Sequence, residues 1–327
     1  MQIKCTEYRA EAGRYDGRHT YAAPLWCYIR CMRKVPVAAL LLVSSLAFAE
    51  PAGDSLSRWI TIGGMRIHYL ETGDGSGSGP TLLMIHGWCG CSEDFRPLML
   101  ALPSDVHAIA VDLPGCGLSD KPDIAYDLPL FLNTLAGFCD ARGLSSVVLI
   151  GHSMGGQVSL HFTAQWPEKV EKLVLIDPYG LEGEQAPWRT LTNMGGLVDL
   201  GFLLNNRLFI EWGVRANVVY KGTQAVVQAI VASTARGILG WAGARSTARI
   251  TRGVIGTGVV NDLLPGIRQH ALVVWGDHDR MLAPHWAADF VSQMADARSS
   301  MVTDTGHMPM AEKPAEVAAL LEDFLKD

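Results

Sequence analysis

"VVLIGHSMGGQVSL" runs from Val147 to Leu160, and its reading decides the fold. The apolar run of a buried strand stops at a Gly-His-Ser-Met-Gly-Gly knot, and a helix-like pattern begins at Met154. A serine between glycines at such a boundary has two readings. One is a plain tight turn, because glycine tolerates backbone angles that other residues avoid. The other is a nucleophile raised on a strained strand-to-helix corner. The rest of the chain decides between them.

On either side of this stretch, strand and helix patterns alternate. "RWITIGG" (58–64) and "MRIHYLETG" (65–73) read as a hairpin split at Gly63-Gly64. "TLLMIHG" (81–87), "VHAIAVDLPG" (106–115), "SSVVLIGHS" (145–153), "EKLVLIDP" (171–178) and "HALVVWGDHD" (270–279) follow, with "SSMVTDTGH" (299–307) as a weaker strand. Their near-continuous apolar character suits strands buried on both faces of a parallel sheet. Between them, Leu128–Arg142 carries Leu128, Phe131, Leu132, Leu135 and Phe138 at helical spacing. Met154–Trp166, His285–Met294 and Pro314–Leu325 read the same way. The alternation predicts an α/β fold: a mostly parallel, doubly wound sheet with helices on both faces.

One interval breaks the rhythm. Residues 179–267 hold no strong strand, only helix-compatible apolar sequence punctuated by glycine, with Trp188, Trp212 and Trp241 among its aromatics. Nearly ninety residues far exceeds an ordinary loop, so the interval is expected to have structure of its own. We read it as a helical insertion between two parts of the core, 50–178 and 268–327.

The bulk numbers exclude several classes. Of 327 residues, 49% are hydrophobic and 18% charged, an ordinary globular balance, and the net charge of −6 offers no broad basic surface for nucleic acid. From Met32 the chain reads "MRKVPVAALLLVSSLAFAEPAG": two basic residues, an apolar run, then Ala47-Phe48-Ala49. That is the plan of a secretory signal peptide over 32–49, and its apolar run is short for a membrane span. Residues 1–31 are expected to be an N-terminal extension ahead of the true start at Met32. Removing residues 1–49 takes away seven Lys/Arg and three Asp/Glu, which moves the net charge to −10. The expected location is the periplasm or the cell exterior, with no stable membrane span after cleavage. Four cysteines remain there, Cys89, Cys91, Cys116 and Cys139, and four allow three disulfide connectivities.

Acyl transfer by serine needs a hydroxyl, a base, a group to orient that base, and donors for the oxyanion. Ser153 supplies the hydroxyl at the C-terminal edge of the sheet, where ligands sit in open α/β folds. Gly151 and Gly155 let strand and helix pack closely around it. His307, in "DTGHMPMAEKP", lies in a short loop between a strand and the last helix and is the candidate base. The orienting acid has two neighbouring candidates, Asp277 and Asp279, with Asp177 a weaker third; we take Asp279 as the acid and Asp277 as a turn residue. This gives the order Ser…Asp…His. His86 and His152 read as structural, bonding to backbone near the turns.

Taken together, "HGWCG" (86–90), "DLPGCGLSDKP" (112–122), "GHSMGG" (151–156), "GDHDRMLAP" (276–284) and "GHMPMAEKP" (306–314) resemble the α/β-hydrolase superfamily, in that family's order, from about Arg58 to the C-terminus. The resemblance implies Ser153 as nucleophile, Asp279 as acid, His307 as base, and the backbone N–H groups of Trp88 and Met154 as the oxyanion hole. It also implies that the insertion is a substrate-lining cap, which makes Trp188, Trp212 and Trp241 candidate substrate contacts. A Cys91–Cys116 disulfide is one pairing this fold would allow. Branches that use an aspartate nucleophile are excluded by Ser153. The expected activity is hydrolysis of a carboxylic ester bearing an apolar group, without metal or organic cofactor. The alternatives are a carbon–carbon bond hydrolase with the same triad, or a ligand-binding module of low turnover.

Overall fold

The apolar runs become the strands of one eight-stranded sheet: β1 (Ser57–Ile62), β2 (Met65–Thr72), β3 (Leu82–Ile85), β4 (Ala108–Val111), β5 (Val147–His152), β6 (Val170–Ile176), β7 (His270–Gly276) and β8 (Ala297–Val302). The computed structural model describes residues 54–73, 75, 79–183 and 195–327. The chain divides into two units, Met1–Ala39 and Leu40–Asp327, and every described residue belongs to the second. The extension and signal stretch read over 1–49, and Trp188 in the insertion, lie outside the described residues.

Strand order is β1-β2-β4-β3-β5-β6-β7-β8. From β4 to β8 all neighbours are parallel, whereas β2 runs antiparallel to both β1 and β4. The β1–β2 hairpin turns at Gly63 (φ +57°) and Gly64 (φ +81°), a left-handed pair that glycine alone adopts without strain. Strands β3, β4 and β5 are buried at every residue, as their unbroken apolar sequence requires. β8 is the sheet's edge and largely exposed, which explains its weak apolar signal.

Among the described residues the α-helices are α1 (Arg96–Ala101), α2 (Leu128–Arg142), α3 (Met154–Gln165), α4 (Gly196–Leu203), α5 (Arg207–Gly213), α6 (Gln224–Ile238), α7 (Gly240–Ile250), α8 (Trp286–Gln293), α9 (Pro309–Glu312) and α10 (Pro314–Lys326). α2 has the bounds its periodicity predicts. The Asp127 side chain accepts the Leu130 N–H at 3.0 Å to cap its start, and Gly143 at φ +67° ends it. α1 is too short to show a helical period and is not foreseen from the sequence.

Alternate residues of the central strands feed two cores. Leu83, Ile85, Leu149 and Leu173 join Phe131, Phe138, Phe162 and Phe290 on one face. Leu82, Met84, Val148 and Ile150 join Leu98, Leu321 and Phe324 on the other. The sheet is therefore doubly wound. Helices α4 to α7 lie between β6 and β7, with no strand among the described residues of 179–267. This helical segment packs Ile250, Val254 and Ile255 into the first core and Val227, Ile230 and Val231 into the second. To reach both faces it must straddle an edge of the sheet, and the contacts below identify the C-terminal edge.

Candidate active site

The corner after β5 is possible because two side chains are missing. A Cβ on Gly155 would lie 2.1 Å from the carbonyl oxygen of Ile85, and one on Gly151 would lie 2.4 Å from that of Gly155. Glycine at both places lets α3 press against β3 and β5. Ser153 sits between them at φ +52°, ψ −118°, strained backbone for a residue with a Cβ. The corner is held from below: Ser153 N–H donates to Ile176 at 3.0 Å, and its carbonyl accepts from Tyr179 at 3.0 Å. The serine side chain makes no capping bond to α3, so the hydroxyl stays available above the sheet.

His307 arrives on the loop after β8. Its Nδ1 bonds Asp279 Oδ2 at 2.7 Å, and both residues are buried. Its backbone is held from two sides. The N–H donates to Val218 of the helical segment at 2.7 Å, and the carbonyl accepts from His152 Nε2 at 2.7 Å. His152 directly precedes Ser153, and its ring lies 4.8 Å from the His307 ring, centroid to centroid. Burial, then the facing His307, pushes the His152 imidazole well below its usual range, so it serves as a neutral donor. His86 is likewise buried and held neutral by burial, with Nδ1 donating to Gly87 at 2.8 Å and Nε2 accepting the Leu113 N–H at 3.1 Å. Both histidines serve backbone, as expected from the sequence.

Among the three carboxylates weighed from the sequence, Asp279 holds His307. Its Oδ1 also accepts the N–H groups of Met281 (2.7 Å) and Leu282 (3.0 Å). Asp277 bonds His278 Nδ1 at 2.7 Å and belongs to the turn. Asp177 lies fully buried beside the pair. Asp177, Asp279 and His307 bring ring-nitrogen and carboxylate-oxygen atoms within 4.8 Å of one another, and because His307 Nδ1 and Asp279 Oδ2 are bonded to each other, the cluster is a hydrogen-bonded pair with a third carboxyl beside it.

The loop after β3 passes over the corner. A Cβ on Gly87 would come 2.9 Å from His152 Nδ1 and 3.1 Å from Ser153 Cβ, so the backbone passes directly against the corner at the residue before Trp88. Met154 opens α3, and the first N–H groups of a helix lack intrahelical acceptors. The Trp88 indole donates to Thr251 Oγ1 at 2.9 Å and meets Phe202 edge-on at 5.9 Å. These contacts tie the loop to the helical segment; Phe202 and Thr251 carry no sequence signal that would single them out. Trp212 and Trp241 are 38% and 67% exposed on that segment.

Further along the same segment, Asp94 links the turn after β3 to α6. Its Oδ1 accepts from Ser233 of α6 and its Oδ2 from the Cys91 N–H at 3.2 Å. Cys91 Sγ lies 3.1 Å from Ser233 Oγ. The four described cysteines are thiols, so the Cys91–Cys116 disulfide considered from the sequence is not formed: Cys91 faces α6 instead. Burial pushes the Cys116 thiol up to about 12. Burial likewise raises the Asp94 carboxyl to about 7, well above its ordinary 3.8. A raised carboxyl favours the folded state below its unfolded pKa, and that stability is lost as pH rises through about 7. Asp94→Asn should therefore gain on the wild type by the order of 4 kcal/mol between pH 4 and 8. Denaturation curves across that range measure it, and a difference independent of pH would refute the assignment.

A second Ser–His–Asp chain exists. Ser57 Oγ lies 3.0 Å from His68 Nε2, and His68 Nδ1 lies 2.8 Å from Asp112 Oδ2. Burial works against ionising Asp112, but the His68 bond and charge hold its carboxyl at about 2. Asp112 also accepts from Ser92 (2.6 Å) and Leu118 (2.7 Å), so it organises the turn after β4. Ser57 lies within β1, not on a strand-to-helix corner. Residue types alone would not separate the two chains; the corner and the helix N-terminus do.

Comparison with known proteins agrees with the architecture. A sequence model of the alpha/beta hydrolase family matches residues 82–320. A 2-(acetamidomethylene)succinate hydrolase from Mesorhizobium japonicum is 37% identical over 134 residues, 40% of this chain and 47% of that protein. A serine hydrolase-like protein from Danio rerio is 40% identical over 108 residues, 32% of this chain and 33% of that protein. The chain thus spans half or less of these two relatives. A thermophilic esterase from Thermogutta terrifontis superposes with a TM-score of 0.69 at 22% identity, over 83% of this chain and 98% of that one, a likeness of fold.

Proposed function

This chain belongs to the alpha/beta hydrolase family, and from that premise we propose that it is an exported serine hydrolase that cleaves a carboxylic ester. The observation that carries the reading is the convergence at one sheet edge of Ser153, on its left-handed corner, with the His307–Asp279 pair bonded at 2.7 Å. Export is inferred from the stretch 32–49 alone.

In this mechanism His307 takes the Ser153 proton as the hydroxyl oxygen attacks the ester carbonyl. Asp279 keeps the His307 Nδ1–H directed at itself, which leaves Nε2 free to act as the base. The N–H groups of Trp88 and Met154 stabilise the oxyanion; loss of one such donor typically costs about 100- to 1,000-fold. The alcohol leaves with the proton from His307, and water then hydrolyses the acyl-enzyme through the same base. An apolar substrate group is supported by the Trp88–Phe202 contact beside the corner. Trp212 and Trp241 are assigned to outer substrate contacts on the insertion, which acts as a cap, and Trp188 is kept from the sequence as a third candidate contact.

Protein made from Glu50, incubated with chromogenic esters from acetyl to long acyl, tests the reading. Saturable hydrolysis of at least one chain length, abolished by a serine-directed phosphonate that labels Ser153, is the expected result. Labelling of Ser153 without hydrolysis of any ester would move the activity to a carbon–carbon substrate. Neither labelling nor hydrolysis would leave a binding module.

A further inference from the structure

Asp177 is the one carboxyl of the buried cluster that the mechanism above leaves without a task. It follows β6, between the strands that carry Ser153 and Asp279, and it is fully buried at φ +43°. Its N–H donates to Val274 at 2.9 Å, and its Oδ1 accepts the Gly276 N–H at 2.9 Å, both on β7. Its second oxygen, Oδ2, is buried and makes no hydrogen bond among the described residues. One carboxylate oxygen of Asp177 lies within 4.8 Å of a carboxylate oxygen of Asp279 and of a ring nitrogen of His307.

Two carboxyl groups this close, with water excluded, do not both ionise. Their hydrogen bonds decide which one keeps the charge. Asp279 accepts three N–H groups, from Met281, Leu282 and His307, at 2.7 to 3.0 Å. Asp177 accepts one, from Gly276. Donors stabilise the ionised form, so the charge belongs on Asp279 and the proton on Asp177. The orphaned Oδ2 is where that proton sits, because a buried oxygen without a partner is costly as an anion and satisfied as a donor.

We propose that Asp177 is kept as a neutral carboxylic acid whose Oδ2–H is directed at the Asp279 carboxylate, making it a positioning residue for the group that orients His307. Burial first, and then the facing Asp279, push its carboxyl well above the usual carboxylate range. The titratable groups that face it are Asp279 from the loop after β7, His307 from the loop after β8, and Glu312 from α9, whose charge adds to the same shift. A neutral donor holds Asp279 in place without adding charge. A second carboxylate beside His307 would instead stabilise the imidazolium, so that the ring holds a proton at rest and has no lone pair free to take that of Ser153. The position of the proton rests on geometry; its role in orienting the base rests on the serine-hydrolase reading.

The test separates the two. An infrared difference spectrum at neutral pH, wild type minus Asp177→Asn, should show the carbonyl band of a buried carboxylic acid that the variant lacks. Asp94, whose carboxyl is raised to about 7, contributes to both spectra and cancels. Asparagine tolerates the left-handed backbone, keeps an acceptor for Gly276 and supplies an N–H toward Asp279, so its kcat should stay near wild type. Its pH profile should lose the alkaline fall that ionisation of Asp177 imposes on the wild type. Asp177→Ala, which removes the donor, should lower kcat about 10- to 100-fold with KM little changed. Absence of the band overturns the proposal. A band with the same alkaline limb in wild type and Asp177→Asn overturns the positioning role. If no ester is cleaved, the pH dependence of phosphonate labelling at Ser153 replaces the rate. If labelling also fails, the hydrolase reading fails while the infrared band still decides where the proton is.

Discussion

Replacing Ser153 by alanine is expected to lower kcat on any cleaved ester by about a millionfold, to the level left by binding and oxyanion stabilisation alone. The fold should survive, for a local reason. The side chain makes no capping bond to α3, so removing the hydroxyl leaves the start of the helix as it was. The backbone bonds of residue 153 to Ile176 and Tyr179, which hold the corner, are untouched. Circular dichroism melts should therefore superpose on wild type while steady-state rates collapse and phosphonate labelling disappears. Ser57→Ala is the control, since Ser57 heads the other Ser–His–Asp chain. If Ser57→Ala abolished hydrolysis and Ser153→Ala did not, the assignment of the nucleophile would be reversed.

Asp279→Asn is expected to cost about 10,000-fold in kcat with KM little changed. The bonds of Asp279 dictate how an asparagine must sit. Its carbonyl oxygen has to occupy the Oδ1 position, because Met281 and Leu282 both direct N–H groups there at 2.7 and 3.0 Å. The amide nitrogen then replaces Oδ2 and presents a donor to His307 Nδ1. The imidazole must accept at Nδ1 and carry its proton on Nε2, facing Ser153, where it no longer works as a base. The opposite amide orientation would set two backbone donors against an NH2 group. Nitrogen NMR of the resting variant should report the Nε2–H tautomer. An Nδ1–H tautomer with near-normal kcat would show that another group orients the histidine, and Asp177, within 4.8 Å, would be the one to examine.

Much of this site was legible before any coordinates, because its signals are local. The apolar runs that became β3, β5, β6 and β7 declare burial on both faces through their own composition. The α2 period and the Gly63-Gly64 turn each act within a few residues. The helical segment was readable as an interval too long and too apolar to be a loop. Elsewhere local signals were missing. α1 is too short to show a period, and β8 is an edge strand that exposes much of what would mark it. Cys91 could not be read as a partner of Ser233, 142 positions away.

By itself, then, the sequence determined the alternation of strand and helix, the hairpin, the glycine-flanked corner at Ser153 and the chain order of serine, aspartate and histidine. Each of these is set by side-chain periodicity or by backbone freedom at one place. Only the tertiary structure decided that Asp279, and not Asp277, meets His307, that His152 bonds the His307 carbonyl, and that Trp88 reaches Thr251 and Phe202. It also decided which carboxyl of the Asp177–Asp279 pair keeps a proton. That choice depends on the number of N–H groups reaching each oxygen and on the exclusion of water. Both arise when residues 177, 279 and 307 are packed within 4.8 Å, across separations that no local pattern encodes.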